Sequence, residues 1–131
     1  MVDLWAAEPK VRRILGGYGR GQQPLPVFKM PHLRGWAVAG RHAYLPAIGR
    51  HEVLVVDTES WQEVGRIPVA GQPVFVIARP DGRQVWVNFA VPDYHRVQVI
   101  DTTSRSVVRT IEPGKAVLHM EFTPRGEAVW I

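Results

Sequence analysis

The stretch Gln72–Gly114 reads QPVFVIARPDGRQVWVNFAVPDYHRVQVIDTTSRSVVRTIEPG. Four short apolar runs succeed one another in it, each closed by turn residues. Val74–Ala78 is continuously apolar, which suits a strand buried on both faces. Arg79-Pro80-Asp81-Gly82 then supplies turn chemistry, because Pro presets φ and Gly tolerates φ > 0. Gln84–Asn88 alternates around Val85 and Val87. Val97–Ile100 is a third strand, ended by Asp101-Thr102-Thr103-Ser104. Ser106–Ile111 is a fourth, closed by Pro113-Gly114. One four-stranded antiparallel sheet per forty-odd residues is the unit of a β-propeller.

Repetition supports that unit. Asp57 returns as Asp101, and Ile67 as Ile111, both 44 positions later. Pro80, Gly82 and Trp86 return as Pro124, Gly126 and Trp130 at the same spacing. Upstream, Gly40-Arg41 and Tyr44 match Gly82-Arg83 and Trp86 at 42. Several residue types held in phase point to repeated units. The expected fold is all-β: a β-propeller fragment of two complete four-stranded blades with partial blades at each end. The expected boundaries are 1–5 for the end of an earlier blade, 6–34 for a helix and loop insertion, 35–71 and 72–114 for full blades, and 115–131 for a partial one. Pro68 falls in a fourth strand, which is acceptable at an outer edge because Pro cannot donate to a ladder.

The 131 residues are 46% apolar and 21% charged, a globular composition rather than a disordered one. No apolar run approaches the ~20 residues of a membrane-spanning helix. No export signal is legible after Met1. Cysteine is absent, which excludes disulfides, Cys-based metal sites and C-x-x-C-H haem attachment. The net charge is +4, but the basic residues are scattered. No basic stripe interleaves with stacking aromatics, so a nucleic-acid partner is not expected.

Propellers close rings of ~4–8 blades. The chain therefore reads as a piece of a longer protein, with Met1-Val2-Asp3 matching Val56-Asp57 and Ile100-Asp101. Repeat units are stabilised by their neighbours, and uncapped ends expose strand edges and apolar faces. The isolated chain is accordingly expected to form homo-oligomers or aggregates. A sharp monomer peak on size exclusion with a cooperative melt would count against that expectation.

Pro9 can open a helix at its first turn. Val11, Ile14 and Leu15 then make an apolar stripe, so a short helix is expected near Pro9–Leu15, ended by Gly16-Gly17. The Gly-rich run that continues through Gly21 follows this helix instead of joining strand to helix, so it is not read as a nucleotide site. Trp36, Tyr44, Trp61, Trp86 and Trp130 are expected to fill the wedges between blades.

Propeller chemistry gathers where loops lead into the innermost strands around the channel. Repeat phase places Gln72-Pro73 and Lys115-Ala116 at two such points, with His119 on the strand that follows, and His32 and Arg34 just before an earlier blade. An imidazole and cations converging on one axis suit an anionic ligand or a metal-bearing planar cofactor. Each charge-assisted bond to a carboxylate would contribute about 1.5–3 kcal/mol. Of the other histidines, His42, His51 and His95 read as surface residues. Neither H-E-x-x-H nor G-x-S-x-G occurs, and Asp57, Asp81, Asp101 and Glu121 form no acid–base couple by spacing.

The pattern G-x-P…PDG-x-x-[VW]-V-N…V-x-V-I-D-T…V-x-x-T-I resembles the YVTN-type propeller repeat. The longer stretches PHLRGW, AYLPAIGRHEVLVVDT, GQPVFVIARPDGRQVWVNFA, RVQVID and GKAVLHMEFTPRGEAVW resemble the C-terminal part of a haem d1 biosynthesis family. That family is related to the d1-haem propeller of cytochrome cd1-type nitrite reductase. The resemblance implies an eight-bladed, periplasmic parent that binds d1-type haem or its precursor in a late step of haem d1 maturation. Nitrite reductase and other d1-maturation proteins are the implied partners. It also implies that His32, in an H-x-x-G-W context with Gly35-Trp36, is a distal haem-iron ligand or hydrogen-bonds to the macrocycle. Arg34 and Lys115 would partner the carboxylates of the macrocycle. A second distal histidine of the reductases is missing at Ala70-Gly71-Gln72-Pro73, so nitrite reduction itself is not expected. The alternatives are a non-catalytic propeller scaffold and a YVTN-type lactonase-like hydrolase.

Overall fold

The computed structural model describes residues 2–3, 7–8, 10–11, 35–47 and 49–131. The first two strands, β1 (Val2–Asp3) and β2 (Lys10–Val11), pair antiparallel. Lys10–Val11 thus lies in a strand, where the sequence reading placed the first turns of a helix. Its backbone groups find partners across a ladder instead of along a helix. The rest of that expected helix lies outside the described residues.

Two four-stranded antiparallel sheets follow. The first contains β3 (Ala37–Ala39), β4 (His42–Ala47), β5 (Glu52–Asp57) and β6 (Glu63–Pro68) in sequential order. The second contains β7 (Pro73–Ala78), β8 (Gln84–Phe89), β9 (Val97–Asp101) and β10 (Ser106–Ile111), again in sequential order. A third unit opens with β11 (Glu121–Phe122) paired to β12 (Val129–Trp130). Every strand expected within Gln72–Gly114 is present within a residue or two of its expected ends. Pro68 lies on an edge strand, as its missing N–H requires.

The registers explain why the repeat is counted at both 42 and 44. Ala37 pairs with Tyr44 and Ile77 with Trp86, so the innermost strands are offset by 40 positions. Tyr44 faces Val55, and Trp86 faces Val99, so the second strands are offset by 42 and the third by 44. The second sheet carries two more residues in each of its first two hairpins. Between the second and third units the offset is uniform, because Glu121 pairs with Trp130 just as Ile77 pairs with Trp86.

The core is the seam between sheets. Tyr44, Val53, Val55 and Ile67 of the first sheet pack with Val76, Val85, Val87 and Ile100 of the second. All eight are essentially removed from water. Burying each such side chain contributes about 1.5–3 kcal/mol. A second seam joins Val97, Ile77 and Trp86 to Val117, Met120 and Val129 of the third unit. Here Trp86 meets Phe122 edge to face at 5.5 Å. The aromatic position is therefore a seam position, but not every copy is buried. Tyr44 is fully covered, whereas Trp130 is 74% exposed and Trp36 is 54% exposed. The expectation that these aromatics mostly fill the wedges between blades is met at Tyr44 and Trp86, whereas Trp36 and Trp130 are exposed in this chain.

Turns bind the units at their edges. Gly126 has φ +72, and a Cβ there would meet Pro80 at 2.9 Å, so one hairpin turn sits directly on the preceding one. Arg105 crosses the first seam, donating to the Val64 carbonyl at 3.1 Å and bonding His42 Nε2 at 3.0 Å. His42 is thus half-buried and structural, where the sequence reading left it as a surface residue. Asp57 and Asp101 fold identical turns. The Oδ1 of Asp57 accepts from Glu59 N and Ser60 N, and that of Asp101 from Thr103 N and Ser104 N. This accounts for the recurrence of aspartate 44 positions on.

Bonding to Arg41 and to the Ser60 backbone holds the Asp57 carboxyl well below the ordinary carboxylate range. The Ser104 N–H lowers Asp101 in the same way. A lowered folded value means that the stabilisation is complete above the ordinary value near pH ~4 and is lost as the pH falls through the folded value. Asp57→Asn is therefore expected to destabilise the fold at neutral pH and to flatten the acid side of its stability curve. Thermal melts across the acid range check this; an unchanged acid limb would refute it.

Candidate functional site

The three innermost strands frame a groove of roughly 330 Å³. Trp36, Ala37 and Val38 line it from β3 and the residue before it. Val76, Ile77, Ala78 and Pro80 line it from β7 and its turn. His119, Met120, Glu121, Phe122, Thr123 and Pro124 line it from β11 and its flanks. Sequential pairing in both sheets leaves β3 and β7 as edge strands. These edges lie next to one another, and Val76 N donates to the Gly35 carbonyl at 3.2 Å. The wall is thus mostly apolar, with a few polar groups, which is the usual make-up of a small-molecule site.

Among the described residues that line the groove, His119 and Glu121 are the ionisable ones. His119 Nε2 lies 3.3 Å from Glu121 Oε2. The imidazole also stands edge-on to Phe75, with centroids 5.5 Å apart and planes at 89°. Between the two polar residues, Met120 is buried in the second seam. That anchor fixes the backbone from which both side chains rise.

A second cluster holds the loops that lead into the innermost strands. Asn88 is buried, and its Oδ1 accepts from Phe75 N at 3.0 Å, where β7 bulges between Pro73 and Phe75. Its Nδ2 donates to the Val117 carbonyl at 2.9 Å. Val117 N in turn donates to the Tyr94 carbonyl at 2.7 Å, and Ala90 N donates to the Gln72 carbonyl at 2.9 Å. Asn88 and the 90–96 loop therefore tie two successive strand entrances together. In the same loop, Arg96 bridges Asp93 at 3.1 Å and Glu112 at 3.4 Å.

The residues singled out from sequence divide as follows. Gln72 leads into β7, and its side-chain Oε1 is buried without a hydrogen-bond partner. Lys115 is exposed in the connection between β10 and β11 and does not line the groove. His119 does line it. His32 and Arg34 lie outside the described residues. Sequence reasoning missed Asn88 as a bridging residue, although it stands in the quoted V-N repeat pattern. It also missed Glu121 as the partner of His119, though their i, i+2 spacing on an extended segment places them on one face.

Edge strands gathered on a groove, with seams between successive four-stranded antiparallel units, define a β-propeller segment. The chain belongs to the Cytochrome D1 heme domain family, which matches residues 1–131. It is 61% identical to Protein NirF of Stutzerimonas stutzeri over 130 residues, covering 99% of this chain and 33% of that protein. The chain spans about a third of the length of the curated relatives it matches. Hydrazine synthase of Kuenenia stuttgartiensis superposes with a TM-score of 0.68 at 28% identity, over 72% of this chain and 28% of that one. The dihydro-heme d1 dehydrogenase NirN, solved in complex with DHE, superposes with a TM-score of 0.65. Its 21% identity, over 80% of this chain and 24% of that one, shows the shared fold.

Replacing Asn88 by Ala leaves the Phe75 N–H and the Val117 carbonyl without their side-chain partner. Each buried unsatisfied group costs about 1–3 kcal/mol. Asn88→Ala is expected to lower stability by about that amount or more in denaturant melts; a change within error would show that the bridge is dispensable.

Proposed function

We propose that this chain is part of a propeller that binds d1-type haem or a precursor and acts in a late step of haem d1 maturation for denitrifying nitrite reductase. The observation that carries the reading is the groove, in which three innermost strands present an apolar wall and one imidazole–carboxylate pair. Membership of the d1 haem domain family gives that groove its ligand class. The residues present fit such a ligand. Trp36, Ile77, Ala78 and Phe122 offer apolar surface to the face of a macrocycle, and His119 offers a polar contact within the same wall. When bound, the group supplies a metal centre and an extended π system; the protein supplies orientation and exclusion of water.

In this reading His32 is the distal group, ligating iron or hydrogen-bonding to the macrocycle. Gln72, at the entrance to β7, has a buried side-chain Oε1 without a hydrogen-bond partner, a free acceptor at the kind of position the reading gives to ligand contacts. Arg34 is assigned to a carboxylate of the tetrapyrrole, and Lys115, exposed outside the groove lining, to one that extends beyond the groove. The segments 35–71, 72–114 and 115–131 act as successive blades of an eight-bladed periplasmic parent. Nitrite reductase and other d1-maturation proteins are its partners.

The test is an absorption titration of the full-length protein with d1 haem. A shifted band on binding is expected. His32→Ala is expected to alter that spectrum and weaken binding about tenfold, the equivalent of one lost charge-assisted hydrogen bond. An unchanged spectrum and affinity would remove His32 from the site, and no binding by the native protein would remove the reading.

A further inference from the structure

We propose that Asp93, seated on Gly71, is a positioning residue that sets Gln72 as an uncharged hydrogen-bonding contact for the ligand. The inference rests on the d1-haem reading for the identity of that ligand. Segment 70–73 leads into β7, which lines the groove, and it is held at every residue. Ala70 N donates to Gln98 Oε1 at 2.9 Å. The Gln72 carbonyl accepts from Ala90 N at 2.9 Å, and Pro73 pairs with Phe89. At Gly71 the hold is steric: a Cβ there would stand 2.6 Å from Asp93 Oδ2 and 2.9 Å from Asp93 Cβ. The Asp93 side chain thus fills the space that a side chain at 71 would need. Arg96 holds the carboxylate there at 3.1 Å. Two successive turns fix its backbone, Asp93 N to the Ala90 carbonyl at 2.9 Å and Arg96 N to the Asp93 carbonyl at 3.0 Å. All of these partners belong to the second unit, which the first sheet and the third unit flank within this chain.

The fold does not require this arrangement. Forty-four positions on, Lys115 and Ala116 stand at the places of Gly71 and Gln72, so an entrance can be built without the glycine seat and without an amide. The connection that carries Asp93 is also two residues longer than its counterpart in the first sheet. At the β7 entrance the amide is nevertheless present, and its Oε1 is enclosed without a hydrogen-bond partner. Such a group is ordinarily bonded in a folded protein. Gln72 as a whole is only half-buried, so its flexible side chain can turn toward a ligand, and doing so breaks no bond of Oε1. A fixed backbone beneath it leaves less ordering to be done on binding. An amide both donates and accepts and carries no charge. It therefore suits a neutral polar substituent at the rim of a planar ligand and leaves the carboxylates to the cations. Its loss keeps the contacts assigned to His32, Arg34 and Lys115, so binding weakens without being abolished.

The experiment is a double-variant cycle read by absorption titration of the full-length protein with d1 haem. Gln72→Ala installs the residue type found at Ala116 and is expected to weaken binding about tenfold, since a polar group of the ligand loses its partner. Gly71→Ala adds one methyl group, displaces Asp93 and is expected to weaken binding by a similar factor. Because Asp93 acts through Gln72, the double variant is expected to bind no more weakly than Gln72→Ala alone. Asp93→Ala empties the seat without adding bulk, and it takes the place of Gly71→Ala if circular dichroism shows that the latter does not fold. Native affinity in either single variant would overturn the proposal while leaving the d1-haem reading intact. A double variant weakened about a hundredfold, the product of two independent losses, would overturn it as well. Absence of d1-haem binding by the native protein would overturn the d1-haem reading, and with it this inference.

Discussion

A four-stranded sheet of six-residue strands has two faces and can shield neither by itself. That constraint governs this chain. The first sheet covers Tyr44, Val53 and Val55 only because the second lies on them, and the second covers Ile77 and Trp86 only because the third unit does. Stability is therefore a property of the seams. The polar links reinforce the same boundaries: Arg105 clasps the first seam, Asn88 bridges to the third unit, and Gly126 lets one turn rest on another. In a repeat architecture, neighbouring units supply what each unit lacks. The groove is a by-product of this packing, since stacking the units brings their innermost edges side by side.

The fold was legible because its signals are local. Apolar runs of five or six residues, Pro-Asp-Gly turns and recurring aspartates each report on a few neighbouring residues, and their phase reports the repeat. Asp57 and Asp101 illustrate this well. The same backbone N–H groups call for the same side-chain acceptor, so the residue returns. The spacing was harder to read, because hairpins that differ by two residues shift the phase along a unit from 40 to 44. Lys10–Val11 shows the limit of periodicity. Three apolar residues at helical spacing do not outweigh pairing with Val2–Asp3, and that partner is invisible to a local pattern. Trp130 shows another limit, since an aromatic at a seam position is buried only where a neighbouring unit covers it.

The candidate site was legible only as a set of strand entrances. Repeat phase identified the strand entrances, and the structure brings Gln72 and Val117 into one hydrogen-bonded cluster through Asn88 and the 90–96 loop. It does not bring Lys115 into the groove. Which side of an entrance a lysine occupies depends on a connection whose path no repeat fixes. His119 reads in the sequence as an isolated imidazole, whereas the structure pairs it with Glu121 at 3.3 Å beside mostly apolar groove walls. Those features depend on three segments that are distant in sequence. Asn88 was hidden for a similar reason: a polar residue ending a strand pattern reads as a turn signal until its two backbone partners are seen.

The most direct measurement is an experimental structure of the full-length protein with a d1-type tetrapyrrole bound. The macrocycle is expected to lie against Trp36, Ile77 and Phe122, with His119 in contact with a ring substituent. A macrocycle bound elsewhere on the ring of blades, with this groove filled by protein side chains, would contradict it.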